Sequence, residues 1–562
     1  MNHTEIFDFD PGYYDLPSLL LTLAFSFHLR IDSIEKISDV SPGEFGKLLG
    51  LDRIPEVKTI RKKIEVLSQN QQPDQWLSQL SRDWMAQTPE LSGVLYIDGH
   101  EEVYYGKKNP LPRRFISRLR LAMRATTDYW VCDKLGQPFF SISKHVSGSM
   151  IETIHHEIVP RLKEDVPDQP SRQALAEDPF LHRFMIVYDR ECYSPQFFLD
   201  MWDERIACCT YNKYVKTSWP TEEFYPYEVT DEYEESHTIY LAERLVLIES
   251  KETESLSRPR PVCSFASLQQ PPSGDSTDDK ENCDVKIIHK RTQAKRRIWA
   301  REVRKLSENG HQTSILTTNY KLASTLIGLY MFARWSQENF FKYMSKNFGI
   351  DTLISYCKQM ISDTSELINP QWRVRDKKCK SLAGKLKRLE AKFGELTYQA
   401  EADLADEKQV KHYTEKKAQL QEDISIYKQH LAECKAQRDA TKKRITFGEL
   451  PEDEKFDGVH TERKQFVDTI KMIVYRAETA LSSLIKGYTS KPKESRALLA
   501  QLFKSSANIK IDKDKRRLYI SLHHQPSNRD DHALRELCRQ LNEAKIVYPG
   551  TDIEIVYRVL SE

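Results

Sequence analysis

Three carboxylates stand where a sheet and a following helix would offer them to a ligand. Asp98 closes the apolar run VLYID, Asp189 closes MIVYD, and Glu338 lies four residues after Arg334 in RWSQENFFK. An Asp at the end of a buried strand is costly unless something positive meets it, and strand ends are where sheets present ligands. Such a set offers oxygen donors only, which suits Mg2+ or Mn2+. Two such ions can activate a water or hydroxyl and stabilise the leaving oxygen in phosphodiester cleavage. Each acid also has an ordinary explanation. An isolated Asp after a strand forms a turn or caps a helix. Glu338 with Arg334 is by default a surface pair contributing about 0.2–0.5 kcal/mol. Three coincidences together weaken that explanation.

The charge balance names no partner, since 84 Lys and Arg almost cancel 83 Asp and Glu. Local density does. Residues 103–127 hold seven Lys or Arg and no acid, the footprint of a phosphate-binding face. Lys107, Lys108, Arg113 and Arg114 are the first candidates, with Arg296 and Arg297 as a second cluster; the alternative is a solvated face. Ten cysteines without a Cys-x-x-Cys pair or zinc spacing read as reduced intracellular thiols, with Cys192 a packing residue. His100 and His311 lack metal-like pairing and receive no catalytic role. The longest apolar run, Leu19 to Phe27, is broken by Thr22 and Ser26 and has no basic leader. It is too short to cross a bilayer, so a soluble cytoplasmic protein without membrane contact is expected.

These residues need several units to position them, because 562 residues exceed one core. The expected fold is multidomain, α+β with α/β parts. Residues 1–90 read as helical, with Ile60, Ile64 and Leu67 at helical spacing and Lys58, Arg61, Lys62 and Lys63 on other faces. They are a candidate DNA-binding region, or else a helical cap. Residues 91–211 alternate strands and helices, with strands 93–98 and 102–107 parted by a turn at Gly99, and further turns at Asn109-Pro110 and Gly136. Residues 212–310 read as strand-rich with a flexible loop at 251–284, and 311–370 carry the Glu338 helix. Residues 371–448 form coiled helices with apolar positions at Leu382, Leu386, Leu389 and again at Leu420, Ile424, Tyr427, Leu431. The two runs are out of phase, implying an intrachain hairpin or a stutter in one long helix. A helix in 449–490 and a small α/β module in 491–562 complete the chain.

Two segments carry a resemblance. YDRECYSPQFF resembles the second-acid segment, and RWSQENFFK the third-acid helix, of bacterial insertion-sequence DDE transposases with the signature Tyr-x2-Arg-x3-Glu-x6-Lys. Arg334 and Glu338 match in spacing; Tyr330 sits one residue early, Lys346 one late, and Lys342 one turn after the glutamate. The resemblance implies a ribonuclease-H-like catalytic domain with a strand-rich insertion, in which Asp98, Asp189 and Glu338 bind two Mg2+ (or Mn2+) ions. It implies hydrolysis at mobile-element ends and attack of the freed 3'-hydroxyl on target DNA, with Tyr330, Lys342 and Lys346 near DNA, Arg190 and Glu191 supporting Asp189, and Arg334 both holding Glu338 and meeting a phosphate. In some relatives an aromatic stacks on a flipped base, a task for Trp299 or Trp219 unless they are core residues. A homodimer on double-stranded DNA, assembled through the coiled helices, and a nucleoid-associated bacterial location are the further expectations. The rival readings are a domesticated nuclease of the same fold without strand transfer and a non-catalytic DNA-binding scaffold.

Overall fold

The computed structural model describes residues 2–10, 12–105, 111, 113–116, 119–144, 150–215, 217–230, 236–253, 295–351, 358–359, 361–399, 407–456, 458–459, 461–489, 492–503 and 505–560. Lys107, Lys108, the Asn109-Pro110 turn and all of the 251–284 loop beyond Thr253 lie outside these residues.

The centre is a ten-stranded sheet built from β1 (Val94–Val103), β2 (Arg113–Ile116), β3 (Leu121–Cys132), β4 (Pro138–Lys144), β5 (Met185–Tyr188), β6 (Ala207–Tyr211), β7 (Tyr225–Thr230), β8 (Ser236–Thr253), β9 (Lys295–Leu306) and β10 (Gln312–Thr317). Its order is β2-β3-β1-β5-β6-β10-β9-β8-β7, with β4 also on β3. Strands β1, β5 and β6 run parallel, and their other neighbours are antiparallel. The strand-rich segment therefore continues the central sheet through β10 rather than forming a sheet of its own.

Both faces are covered, which is why these strands read as unbroken apolar runs. Leu95, Ile97, Ile186, Tyr188 and Cys208 point to one core, whereas Tyr96, Met185, Val187, Ala207 and Cys209 point to the other. The turn expected at Gly99 is absent: β1 runs unbroken from Val94 to Val103, with Gly99 opposite Tyr129. A Cβ on Gly99 would stand 3.2 Å from the Tyr129 ring, so glycine here makes room for a cross-strand aromatic.

Helices α1 (Leu16–His28), α2 (Pro42–Leu48), α3 (Val57–Leu67), α4 (Gln72–Gln87) and α5 (Pro89–Ser92) precede the sheet. Helices α6 (Met150–Thr153), α7 (Val159–Asp165), α8 (Arg172–Glu177) and α9 (Pro195–Asp203) connect its strands, and α10 (Ser324–Phe332) and α11 (Arg334–Phe348) follow β10. After α12 (Pro370–Gln399) and α13 (Glu407–Asp439), helix α14 (Thr461–Leu484) returns to the body. Leu19, Leu23, Ile60, Ile64 and Trp76 from the N-terminal helices share one core with Leu95, Trp130, Phe340, Phe466 and Ile470. The basic helix α3 thus buries its apolar stripe against the body, and no break in the core separates residues 1–90, the sheet and α14.

Helices α12 and α13 pack antiparallel within the chain. Cys379, Leu382 and Leu386 face Ile424, Tyr427, Leu431 and Cys434, and Glu390 meets Lys428 at 3.2 Å. The expected seam between two chains is thus satisfied internally. Short pairings β11 (Lys358–Gln359) with β14 (Gly458–Val459), and β12 (Glu366–Ile368) with β13 (Arg444–Thr446), close the base of this hairpin. The chain ends in α15 (Pro492–Leu502), α16 (Asn528–Glu543) and the sheet β15 (Ala507–Asp512), β16 (Arg517–Leu522) and β17 (Glu554–Val559). Among the described residues no helix is long and apolar enough to cross a membrane, and the seven described cysteines are free and buried.

A buried polar knot ties the ends of the chain to α11. Arg30, just past α1, donates to Glu478 of α14 and to the Tyr343 hydroxyl, both at 2.9 Å, and Arg496 of α15 approaches Glu478 at 3.4 Å. His28 stands beside this knot, 4.9 Å from the Phe503 ring. Burial pushes its pKa down to about 4, with Glu478 opposing and Arg30 assisting. Burial, helped by Arg205, lowers His182 to about 4 as well. In the unfolded chain each imidazole takes up its proton near pH 6.5, but in the fold only near pH 4. Their contribution to stability is therefore complete above pH 6.5 and is lost as pH falls through that window. Tm should fall between pH 7 and 4.5, and the double variant His28→Gln, His182→Gln should show a shallower fall; an identical pH slope would disprove the assignment.

Candidate active site

Strand β1 runs past the end of its parallel neighbour β5, whose last partner pair is Ile97 with Tyr188. Asp98, still on β1, and Asp189, just past the end of β5, are the next residues, which sets two carboxylates side by side. Asp189 also caps the 3-10 turn Arg190–Cys192, accepting from the Arg190 backbone N–H at 2.8 Å, and Asp98 accepts from the Gly99 N–H at 2.9 Å.

Helix α11 delivers the third acid. Its first turn lies against the β3–β4 turn, where Gly136, at φ 77°, comes so close that a Cβ would stand 2.7 Å from the Ser336 carbonyl oxygen. The Ser336 hydroxyl donates to the Lys134 carbonyl at 2.9 Å. The buried Gln337 amide donates to the carbonyls of Tyr96 on β1 and Trp130 on β3, at 3.3 and 3.1 Å. Phe341 stacks on His100 of β1, with ring centres 4.9 Å apart, and His100 also pairs with Asp351. Phe340 and Phe341 pack against Trp130. Glu338 is thus carried by a helix pinned on both sides of it.

The three carboxylates converge on one guanidinium. Arg334 lies 3.4 Å from Asp98, 3.8 Å from Asp189 and 3.4 Å from Glu338. Its side chain is 12% exposed and that of Glu338 is 39% exposed, so the cluster is half-open to solvent. Burial pushes the Asp98 pKa up to about 6, against the pull of Arg334 and the Gly99 N–H and with help from Asp189 and Glu338. A carboxylate held this way favours any added positive charge.

The chain matches the family model described as transposase protein over residues 2–256 and 278–561. It belongs to that family. No curated protein matches it. Membership carries a transposase role and, with it, DNA as partner.

The other residues expected at a transposase site are scattered. Lys342 and Lys346 are exposed on the turns of α11 after Glu338. Tyr330 is partly buried against the second core, and its carbonyl accepts from the Tyr96 hydroxyl at 2.7 Å. The side chains of Arg190 and Glu191 are exposed; the support found for Asp189 is the Arg190 backbone, because the capping turn aims the peptide and not the side chain. Arg113 is exposed on β2, opposite Arg124, and Arg114 is its neighbour there. Arg296 is clasped by Asp203 at 2.7 Å and Asp200 at 3.5 Å, which joins β9 to α9. Arg297 is exposed but pairs with Glu249 at 2.9 Å. Trp219 lies buried between Arg244 and Arg304, 4.6 and 4.1 Å from its ring, and is a packing residue; Trp299 is 39% exposed on β9.

A second acidic group escaped sequence reasoning. Glu102 of β1, Asp128 of β3 and Asp468 of α14 are buried close enough together that they could hold a metal ion. The Lys464 ammonium already stands among them, 2.7 Å from Glu102, 2.6 Å from Asp128 and in contact with Asp468. Burial works against the charge on Lys464, but the three carboxylates prevail and hold its pKa well above the usual range. Burial, together with Asp128, drives the Glu102 carboxyl far up. Burial works against the Asp128 carboxylate as well, but the charge of Lys464 and hydrogen bonds from Glu102, Lys464 and Ser143 together bring its pKa down to about 2. Lys471, next along α14, donates to the Gly349 carbonyl at 3.0 Å. The sequence offered only a helix within 449–490 here. Lys464→Met should lower the unfolding free energy by about 3–5 kcal/mol, as removal of one partner from a buried ion cluster does. An unchanged urea midpoint would show that the ammonium does not serve these acids.

Proposed function

We propose that this transposase cuts DNA at the cluster of Asp98, Asp189 and Glu338 and joins the freed 3'-hydroxyl to target DNA. The observation that carries the reading is the convergence of three carboxylates, from two adjacent parallel strands and a following helix, on one cation. The run β4-β3-β1-β5-β6, with the acids at its central strands, supports a ribonuclease-H-like core. The donor set fits Mg2+ or Mn2+, since it offers hard oxygens alone and Asp98 is short of positive charge. Divalent ions held there would supply the activated hydroxyl and the stabilised leaving oxygen of phosphodiester chemistry.

The chain's own residues would do the rest. Asp98 and Asp189 are fixed by backbone N–H groups, so their orientation does not depend on a ligand. Gln337, Ser336 and Phe341 set the depth of α11 and hence of Glu338. Arg334 keeps three like charges together and has N–H donors to offer a phosphate beside the cut bond. Lys342 and Lys346 continue a positive edge away from the site for the departing strand.

Asp98→Asn, Asp189→Asn and Glu338→Gln should each lower Mg2+-dependent cleavage of element-end DNA about a thousandfold, or about 4 kcal/mol of transition-state stabilisation. Duplex affinity should stay within about threefold, and Mn2+ binding followed by calorimetry should be lost. Near-normal cleavage by Glu338→Gln would remove the assignment. Excision without joined product would favour a nuclease over a transposase.

A further inference from the structure

Helix α12 is far more basic than its partner in the hairpin. It holds nine Lys or Arg against three acids, whereas α13 holds seven against six. Of the three acids, Asp376 is engaged by Lys380 and Arg438, and Glu390 by Lys428. At 3.6 residues per turn, Lys377 and Arg388 project from the side of α12 opposite the seam of Cys379, Leu382 and Leu386, and Lys387 and Lys392 flank that side to left and right. All four are exposed, and none meets an acid among the described residues. Glu395 alone interrupts the far end of this face.

A merely solvated face gains nothing from such an arrangement. Like charges at i and i+4, as in Arg388 and Lys392, weaken a helix, and solubility is served as well by mixed signs. The face from Lys377 to Lys392 extends about 22 Å at 1.5 Å per residue. That length covers roughly six base pairs at 3.4 Å each. The seam side of α12 is occupied by α13 within the same chain, so the outward side is what α12 itself has left to offer a partner.

We propose that the outer face of α12 binds the phosphate backbone of duplex DNA, as a contact surface separate from the acid cluster. The inference rests on the DNA-processing reading above and gives the hairpin a task that chain pairing would not. Because Lys and Arg on a helix face meet phosphates rather than base edges, the contact is indifferent to sequence and strongly dependent on salt.

The test is the variant Lys377→Gln, Lys387→Gln, Arg388→Gln, Lys392→Gln in the full chain, titrated against a duplex of about 30 base pairs of arbitrary sequence across a KCl series. Glutamine retains helix propensity, and circular dichroism with Tm verifies the fold. A companion variant, Lys387→Arg, Lys392→Arg, keeps the charge and should bind as the parent does. The glutamine variant should bind about 10- to 100-fold more weakly in low salt, with a slope of log affinity against log salt shallower by about 2–3. Unchanged affinity and slope would overturn the proposal, as would a change confined to self-association, which would make the occupant a second copy of this chain. Mg2+-dependent nicking by the glutamine variant at saturating protein separates the two readings. Weak binding with intact nicking supports the α12 face, and nicking that survives Asp98→Asn defeats the acid cluster without touching it.

Discussion

Like charges gathered in one place must be held there by something of opposite sign, and this fold solves that problem twice along a single strand. On β1, Asp98, His100 and Glu102 face the same side at the two-residue period of a pleated strand. Asp98 shares Arg334 with two other acids, His100 stacks on Phe341, and Glu102 shares Lys464 with two more. Helix α11 takes its position from the first two of these contacts and α14 from the third. The strand is thus the ruler against which both helices are set, and a register slip of one residue would turn all three side chains away from their partners.

The two clusters differ in what surrounds them, and that difference separates their roles. Around Lys464 every charged group is buried, and β1, β3 and α14 close over it. Around Arg334 the acids keep part of their surface in water, and Glu338 most of all. A sealed cation can only lock elements together. A half-open one can be joined or displaced by other cations and by phosphates, at little cost to the fold.

How far the sequence revealed this follows from distance along the chain. Asp98 and Asp189 were legible because each ends an apolar run, and Glu338 because its arginine stands one turn away. The hairpin was legible as an alternative, since its two apolar runs are out of phase. Glycine misled at position 99, where it signals a turn by composition but serves a ring from the next strand. The partners of Arg296 were out of reach of local reading, because Asp200 and Asp203 lie on a helix far upstream. Glu102, Asp128, Lys464 and Asp468 were beyond local reasoning altogether: no window of sequence holds both halves of that cluster.

The return of α14 bears on the order in which the protein can be made. Phe466, Ile470 and Lys464 complete a core whose other half was synthesised hundreds of residues earlier. Translation proceeds at about 5–20 residues per second. A ribosome therefore spends tens of seconds between releasing the strand that carries Asp98 and releasing the helix that covers it. Through that interval Glu102 and Asp128 lack their counter-cation and one face of the sheet lacks its lid. A nascent chain would hold its acids in the right sequence but not yet in a settled place, so competence for DNA chemistry would arrive with the last hundred residues.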